Sequence, residues 1–228
     1  MGTLASNRKG YIVGATSSEY NTSHAATTGT AYDAVSSNAN TAIQYYFSTG
    51  RGGGTHRFTR TFIHFDTEGI SGGSSFQLVL TSTAGNNSST DYNVIAVTHS
   101  AGESGGGELA NDDFNNIDRT TPWSASTAWP SSGSVTFTLN AAAATQIVNE
   151  NDFNIALMLV HDYEEEEEGP LAESASFNDG IAFGSAINLT YTDPASGYGH
   201  NVLAVAAANI GKVSTVATAS IEKINTVG

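Results

Sequence analysis

The segment over residues 60–66 restricts the fold of this chain more than any other stretch. It consists of Arg-Thr-Phe-Ile-His-Phe-Asp, and these aromatic and β-branched residues suit the pleated, half-buried surface of a β-sheet. Side chains alternate across a strand, so its two faces consist of Thr61, Ile63 and Phe65 and of Arg60, Phe62 and His64. Because neither face is purely polar, we predict a central strand that is covered on both sides.

The composition favours many short strands over long helices. The 228 residues include 24 glycines but only 4 prolines and 2 methionines, and Gly/Ser/Asn-rich loops follow the short apolar runs. A chain of this length fits one all-β domain with an appendage. It contains no cysteine, which excludes a disulfide scaffold, thiol catalysis and thiolate metal ligands.

The chain is strongly acidic. Its 22 acidic and 8 basic residues give a formal net charge of −14. This charge repels phosphate backbones, so we expect no nucleic acid among the partners. No apolar run approaches the length of a membrane-spanning helix, so we expect no membrane insertion. The first residues lack the hydrophobic segment of a secretory signal, so we expect delivery by another route.

Alternating apolar residues predict further strands along the chain. Two short helical segments are also predicted: Asn140 is a typical N-cap for a helix over residues 141–148, and a single helical turn is expected around Phe114. We expect residues 1–10 to be a flexible or partner-held lead-in, and residues 17–40 to be a long loop with one edge strand over residues 30–34. The other predicted strands are residues 11–13, 41–47, 76–81, 92–99, 135–139, 153–160, 181–183 and 187–192.

About eight to ten short strands with one small helix favour an all-β, antiparallel jelly-roll β-sandwich. Its best-defined part is residues 40–192, and the domain is predicted to span residues 1–193. We expect seven apolar side chains at the centre of its core, namely Phe65, Leu78, Leu80, Phe137, Leu139, Ile155 and Leu157.

The same elements resemble the DNRLRE-type jelly rolls, which are similar to carbohydrate-binding modules. Residues 60–66 match the early strand of that family, with an Arg, several apolar residues and Phe-Asp. The strand and Ala-rich helix over residues 135–148 and the strand with an acidic end over residues 153–162 match later elements. The resemblance covers residues 40–192 and implies a jelly-roll β-sandwich.

The segment after Pro194 differs because its apolar residues recur at every third or fifth position. On a helix they form an apolar stripe, whereas their β-branched side chains favour extended structure, and both alternatives stay open. We predict that residues 194–228 are an assembly tail with an eleven-residue repeat. Its predicted interface residues are Val202, Val205, Ile210, Val213, Val216, Ile221, Ile224 and Val227.

The repeat also resembles the Ala-Asn-Ile-x-Lys-Val segments at the ends of virion proteins of marine tailed phages. The matching stretches are residues 208–213, Ala-Asn-Ile-Gly-Lys-Val, and residues 219–224, Ala-Ser-Ile-Glu-Lys-Ile. The resemblance implies a protein at the surface of a phage virion. Its expected partners are other virion proteins of the capsid or tail and further copies of this chain, in a homo-oligomer.

We predict no catalytic residue and no cofactor. Ser104 lies in a G-x-S-x-G pattern, but a nucleophile elbow needs a helix directly after it, and the glycines here favour a surface loop. The six histidines lie too far apart in the sequence for a metal-binding motif. Asp162 and Glu164, in a run of acidic residues, are weak candidates for Ca²⁺, and a solvated acidic loop is the favoured alternative.

One face of the central strand suggests a sugar platform. Its residues are Arg60, Phe62 and His64, extended by Tyr46 and Gln44 on a neighbouring strand; the alternative is that a facing layer buries them. We therefore expect a non-enzymatic virion structural protein, as a capsid decoration or head fibre. The alternative function is a carbohydrate-binding module or tail-fibre component that recognises host-surface glycans.

Overall fold

A computed structural model describes residues 1–32, 42–49, 54–86, 93–101, 109–164, 177–193, 212–213 and 216–217. The strands are β1 (Gly2–Ala5), β2 (Arg8–Gly14), β3 (Gly29–Tyr32), β4 (Ile43–Ser48), β5 (Thr55–Asp66), β6 (Ser74–Asn86), β7 (Asn93–His99), β8 (Ile117–Pro122), β9 (Thr127–Ala128), β10 (Gly133–Thr138), β11 (Asp152–Leu159), β12 (Phe177–Thr192), β13 (Lys212–Val213) and β14 (Val216–Ala217). The helices are α1 (Tyr20–His24), the 3₁₀ turn η1 (Asn111–Asn115), α2 (Ala141–Asn149) and α3 (Val160–Glu164).

Strand β5 joins two groups of antiparallel strands. Its first half pairs with β4, which continues through β12 and β6 to β10. Its second half pairs with β11, which continues through β7 to β8 and β9. On its other edge β5 pairs with β2, which carries β3, and β1 pairs with the C-terminal half of β12. The prediction that residues 60–66 form a central strand is confirmed.

Both groups of strands contribute to one hydrophobic core. The seven side chains predicted for its centre are all buried. Trp129, which follows β9, packs against Phe137 and Phe183 of the other group, and its indole N–H donates to Ser82 Oγ at 2.9 Å. The antiparallel all-β sandwich class is therefore confirmed.

The short helix α2 begins where the sequence predicts it. The Asn140 side-chain oxygen accepts a hydrogen bond from the Ala143 amide at 3.0 Å, which satisfies one of the free N–H groups of the first turn. The single turn predicted around Phe114 is η1, and Phe114 itself is fully buried. No helix in the described ranges is long and apolar enough to span a membrane.

The N-terminal prediction is wrong in two respects. Residues 1–10 are not a flexible lead-in, because β1 pairs with β12 and β2 pairs with β5. The expected loop from residue 17 contains α1, whose Tyr20 is buried against Tyr45 and Phe58. These pairings join residues far apart in the sequence, and local composition carries no signal for them. The edge strand near Thr30 is β3; residues 33–40 lie outside the described part.

Candidate functional site

Four of the five residues predicted to form a sugar platform are buried. The exposed fractions of Arg60, Phe62, His64 and Gln44 are 0%, 1%, 8% and 2%, and Tyr46 is half-buried. A sugar that stacks on a ring needs an open ring face. The Phe62 ring instead packs edge to face against the buried His99 ring. The platform prediction is therefore wrong, because α1, η1 and α3 cover the Arg60 side of β5.

Tyr46 and Gln44 both interact with Arg57 on the neighbouring strand β5. The Arg57 guanidinium lies 5.0 Å from the centroid of the Tyr46 ring, and its Nη2 donates to Gln44 Oε1 at 3.0 Å. These two side chains therefore connect β4 to β5.

Arg60 is the centre of a closed polar cluster. Its Nε and Nη2 donate to the two carboxylate oxygens of Asp162 at 2.8 and 2.6 Å. Its Nη1 donates to the Phe114 carbonyl at 2.9 Å, and Nη2 also donates to the His24 carbonyl at 3.0 Å. The guanidinium carbon lies 4.0 Å from the Phe114 ring centroid. We call Arg60, Asp162, His24 and Phe114 the Arg60 cluster; it ties α1, η1 and α3 to β5.

Asp162 is ionised inside this cluster. Burial raises the pKa of its carboxyl group, but the adjacent Arg60 charge and the hydrogen bonds from Arg60 and His24 outweigh burial, so the pKa lies well below its usual range. His24 Nε2 lies 2.7 Å from the Asp162 carbonyl and 3.1 Å from its Oδ1, a geometry in which a ring N–H donates to both oxygens.

The Arg60 cluster leaves no position for calcium on Asp162. Both carboxylate oxygens accept from Arg60, and the side chain is 2% exposed. Calcium needs six to eight oxygens around one point, and no group of three or more candidate ligands occurs among the described residues. The Asp162 candidate, and its reading as part of a solvated loop, are wrong because the residue is an internal counter-ion. Glu164 is exposed at the end of α3.

His64 lies in a second, smaller polar contact. Its Nε2 lies 2.8 Å from Asp152 Oδ1, and its Nδ1 lies 2.6 Å from Asn7 Oδ1. Burial lowers the pKa of His64, and the Arg8 charge adds to this effect, while the Asp152 carboxylate opposes it. His64 thus links β5 to the start of β11 and to the turn before β2.

An open cleft of about 480 Å³ lies on the outside of the β7–β8 edge. Side-chain amides, hydroxyls and one carboxylate dominate its wall. The lining residues are Thr98, His99, Ser100, Asn115, Asn116, Ile117, Asp118, Gln146 and Asn154. Its wall is more polar than that of most ligand sites, which are mainly apolar with a few polar groups, so a ligand here would be held chiefly by hydrogen bonds.

The charged wall of the cleft is held in place by local hydrogen bonds. The hydroxyl and amide of Thr120 donate to Asp118 Oδ1 at 2.6 and 2.7 Å, and these bonds lower the pKa of the Asp118 carboxyl group. Arg119 Nη2 donates to Asn115 Oδ1 at 3.0 Å. The cleft therefore presents an ionised carboxylate and amide groups at neutral pH.

His99 forms the buried floor of the cleft in its neutral state. Complete burial lowers the pKa of its imidazole to about 4. Its Nε2 lies 3.1 Å from the Ile63 carbonyl, and its Nδ1 accepts a hydrogen bond from the Ala101 amide at 3.1 Å. These partners fix the tautomer with the proton on Nε2.

Sequence reasoning missed this cleft. The polar residues 115–118 follow the predicted turn at Phe114, which was a usable signal for one wall. Gln146 of α2 and Asn154 of β11 reach the same place only through the β11–β7 pairing, and no local pattern predicts that pairing.

Several predicted sites lie wholly or mostly outside the described residues. Ser104 is one of them, so its assignment to a surface loop stays a prediction. Of the predicted tail interface, only Val213 and Val216 are described; they face each other in the antiparallel pair β13–β14, which is extended. The other tail residues, Val202, Val205, Ile210, Ile221, Ile224 and Val227, lie outside it.

In comparisons with known proteins, no family model matches this chain, and no curated protein matches it significantly.

Proposed function

We propose that this protein is a structural component of a bacteriophage particle. The sandwich is displayed at the particle surface, as a capsid decoration or head fibre, and the segment 194–228 holds it there. The observation that carries the proposal is the pairing of β1 with the end of β12, which brings the first and last strands of the sandwich together. Because β12 ends at Thr192, the repeat-bearing segment follows the last strand of the described sandwich.

The internal use of charged side chains supports a structural role. In the Arg60 cluster the guanidinium and the imidazole both bind the Asp162 carboxylate, and between them they also bind three backbone carbonyls. A catalytic site instead leaves a reactive group within reach of a substrate. These residues stabilise the fold, which is what a displayed and assembled module requires.

The resemblance of residues 208–213 and 219–224 to the terminal segments of phage virion proteins is the reason for proposing a phage particle. A formal charge of −14 suits a particle surface, because it opposes nonspecific association.

Electron microscopy of purified phage particles tests the proposal. A gold label against this chain should decorate the particle surface at regular positions, on the head. A chain that never sediments with particles would overturn the proposal. Label confined to the tail fibres would exclude the capsid decoration and head fibre.

The cleft on the β7–β8 edge favours a second function, the binding of a host-surface glycan. Its amides and the Asp118 carboxylate are suitable partners for sugar hydroxyls. On a glycan array, Gln146→Ala should lose a signal that Thr145→Ala keeps, because Thr145 lies on the same helix but outside the cleft. Equal signals from both variants would exclude the cleft as the site.

A further inference from the structure

In the described part of the chain, the outer edge of β10 is open at Ser134 and Thr136, and just beyond β10 Leu139 is bridged by Ser124. Among the described strands, β10 pairs only with β6, in an unbroken register from Gly133–Ser82 to Thr138–Gln77. The Leu139 amide donates to Phe76 of β6, whereas the next amide, that of Asn140, donates to Trp123 on the other side. Backbone groups alternate along a strand, so the amides and carbonyls of Ser134 and Thr136 point away from β6.

Two other edge strands of the described sheet, β3 and β8, carry features that discourage pairing. In β3 the Ala31 amide donates to the Asn111 side chain of η1. Strand β8 contains Asp118 and Arg119, ends at Pro122 and has a register shift against β7. Such charges, prolines and irregularities block edge-to-edge association. Strand β10 has none of them: it is Gly-Ser-Val-Thr-Phe-Thr, with Ser134, Thr136 and Thr138 exposed.

We propose that the β10 edge receives an added strand from the tail of a second copy, residues 221–227, so that copies are linked by β-augmentation. This inference rests on the proposed function, which gives residues 194–228 an assembly role. Main-chain hydrogen bonds supply the affinity in this mode of recognition. The seven residues Ile-Glu-Lys-Ile-Asn-Thr-Val are long enough to cover the open part of β10, and their β-branched side chains favour an extended strand.

Charge favours a contact between tail and sandwich over one between two sandwiches. Residues 1–193 contain 21 acidic and 6 basic residues, a formal charge of −15, whereas residues 194–228 contain two lysines and one glutamate, a charge of +1. Two sandwiches repel each other, whereas residues 221–227, with one glutamate and one lysine, are neutral and meet no such repulsion at the edge.

The position of the tail also suits this edge. Thr192, at the end of β12, pairs with Ser74 of β6, and Thr138 of β10 pairs with Gln77 of the same strand. The tail therefore leaves the sheet about 10 Å, or two strand spacings, from the line of β10. The described part of the first repeat pairs with itself as β13–β14 and not with β10, which leaves the second repeat as the donor.

Substitution at Thr136 tests whether the edge is used. Proline removes the outward N–H of Thr136 but no hydrogen bond to β6, and proline is tolerated at such edge positions. In the full-length protein, Thr136→Pro should weaken self-association, measured by analytical ultracentrifugation, by about tenfold or more. The matched control Thr136→Ala keeps the N–H and should associate like the wild type. Equal association of all three proteins would overturn the proposal, as would a wild type that is monomeric at every concentration.

Engineered cysteines test which segment occupies the edge, since the chain has no cysteine of its own. A mixture of Thr136→Cys and Ile224→Cys proteins should form a disulfide-linked dimer under mild oxidation. A Thr136→Cys/Val202→Cys pair is the control and should cross-link at least about tenfold less, since residue 202 lies outside the proposed donor strand.

In the double variant Thr136→Cys/Ile224→Cys, a closed monomer in place of linked copies would show that the tail of the same chain fills the edge, and would overturn the proposal. Cross-linked copies that never join particles would overturn the proposed function alone, and particles containing the protein without this cross-link would overturn this inference alone.

Discussion

The Arg60 cluster and the β10 edge differ in how their polar groups are satisfied. In the cluster, a buried guanidinium has partners on every side: one carboxylate, two backbone carbonyls and an aromatic ring. At the edge, the outward backbone groups of Ser134 and Thr136 have no partner strand in the described part of the chain. The Arg60 cluster therefore pairs its charged side chains inside the protein, whereas the β10 edge leaves main-chain groups exposed.

The comparison separates groups that stabilise the fold from groups that another molecule can contact. The charged groups of the cluster bind one another and the backbone of neighbouring elements, so they stabilise the fold and are not available to another molecule. An open strand edge offers a ready template for another strand. The open edge matches the assembly role proposed above, and the next predictions compare the buried Arg60 cluster with this edge, beginning with the largest effect.

Removal of the Arg60 charge should produce the largest loss of stability. Arg60→Met leaves the buried Asp162 carboxylate without its counter-ion, which should lower the free energy of unfolding by about 3–5 kcal/mol in urea denaturation. Arg57→Met removes a half-buried hydrogen bond to Gln44 and the contact with the Tyr46 ring, and should lower the free energy of unfolding by about 1 kcal/mol.

A double variant separates the charge from the packing. Arg60→Met/Asp162→Leu removes both ions and should recover most of the loss, because well-packed apolar residues can replace a buried ion pair. If the double variant is as unstable as Arg60→Met alone, the contacts of Arg60 with Phe114 and His24, and not its charge pairing, stabilise this region.

His99 should make the interior sensitive to acid. The pKa of His99 is about 4 in the folded protein and near 6.5 in the unfolded chain. Between these values the unfolded chain binds a proton that the folded protein does not. The contribution of neutral His99 to the free energy of unfolding is therefore fully present above pH 6.5. It is lost as the pH drops toward 4, by about 3 kcal/mol in total.

Urea denaturation at a series of pH values measures this effect. His99→Gln has no titrating ring, so the difference in unfolding free energy between wild type and variant should change across this interval. The difference cancels the contributions of the carboxyl groups common to both proteins. A difference that stays constant from pH 7 to pH 4 would contradict the assignment of His99 as a buried neutral residue.

Asn140 closes one end of the β10 edge, and its loss should have a moderate effect. Its side chain caps α2 by accepting from the Ala143 amide and also donates to the Pro122 carbonyl. Asn140→Ala should lower the free energy of unfolding by about 1 kcal/mol. Asn140→Asp keeps the capping oxygen and should recover part of this loss; two equally unstable variants would assign the effect to the Pro122 contact.

The open edge itself should have the smallest effect on stability. Thr136 is exposed and its backbone N–H points away from β6. Thr136→Ala should change the free energy of unfolding by less than about 0.5 kcal/mol. A loss of several kcal/mol would mean that the edge is part of the folded monomer's own packing.

The sequence predicts the elements of this fold better than their partners. Alternation identifies β5 and β10, and the Asn140 cap locates α2, because these signals are local. The strand predicted at residues 11–13 is part of β2, but β1 and the start of β2 were missed because their partners, β12 and β5, lie far away in the sequence. Such long-range pairings leave no periodicity in the segment that forms them.

The same limit explains the errors at the candidate site. From the sequence alone, Arg60 is assigned to a sugar platform and Asp162 to an acidic loop with a weak calcium candidate, although the two residues are partners at 2.6 Å. A buried arginine is rare unless it is paired, so the predicted two-sided coverage of residues 60–66 was itself a signal that Arg60 needs a counter-ion. The cleft around Asp118 depends on three elements that meet only in the folded sheet.

Amide hydrogen exchange at adjacent residues of β10 tests the central claim most directly. The N–H of Val135 points toward β6, and that of Thr136 points outward. In dilute protein, Val135 should exchange slowly and Thr136 rapidly. At concentrations where copies associate, Thr136 should become protected while Val135 stays unchanged. A Thr136 amide that still exchanges rapidly in the associated protein, or that is already protected in the dilute monomer, would contradict an open edge that is filled by a second copy.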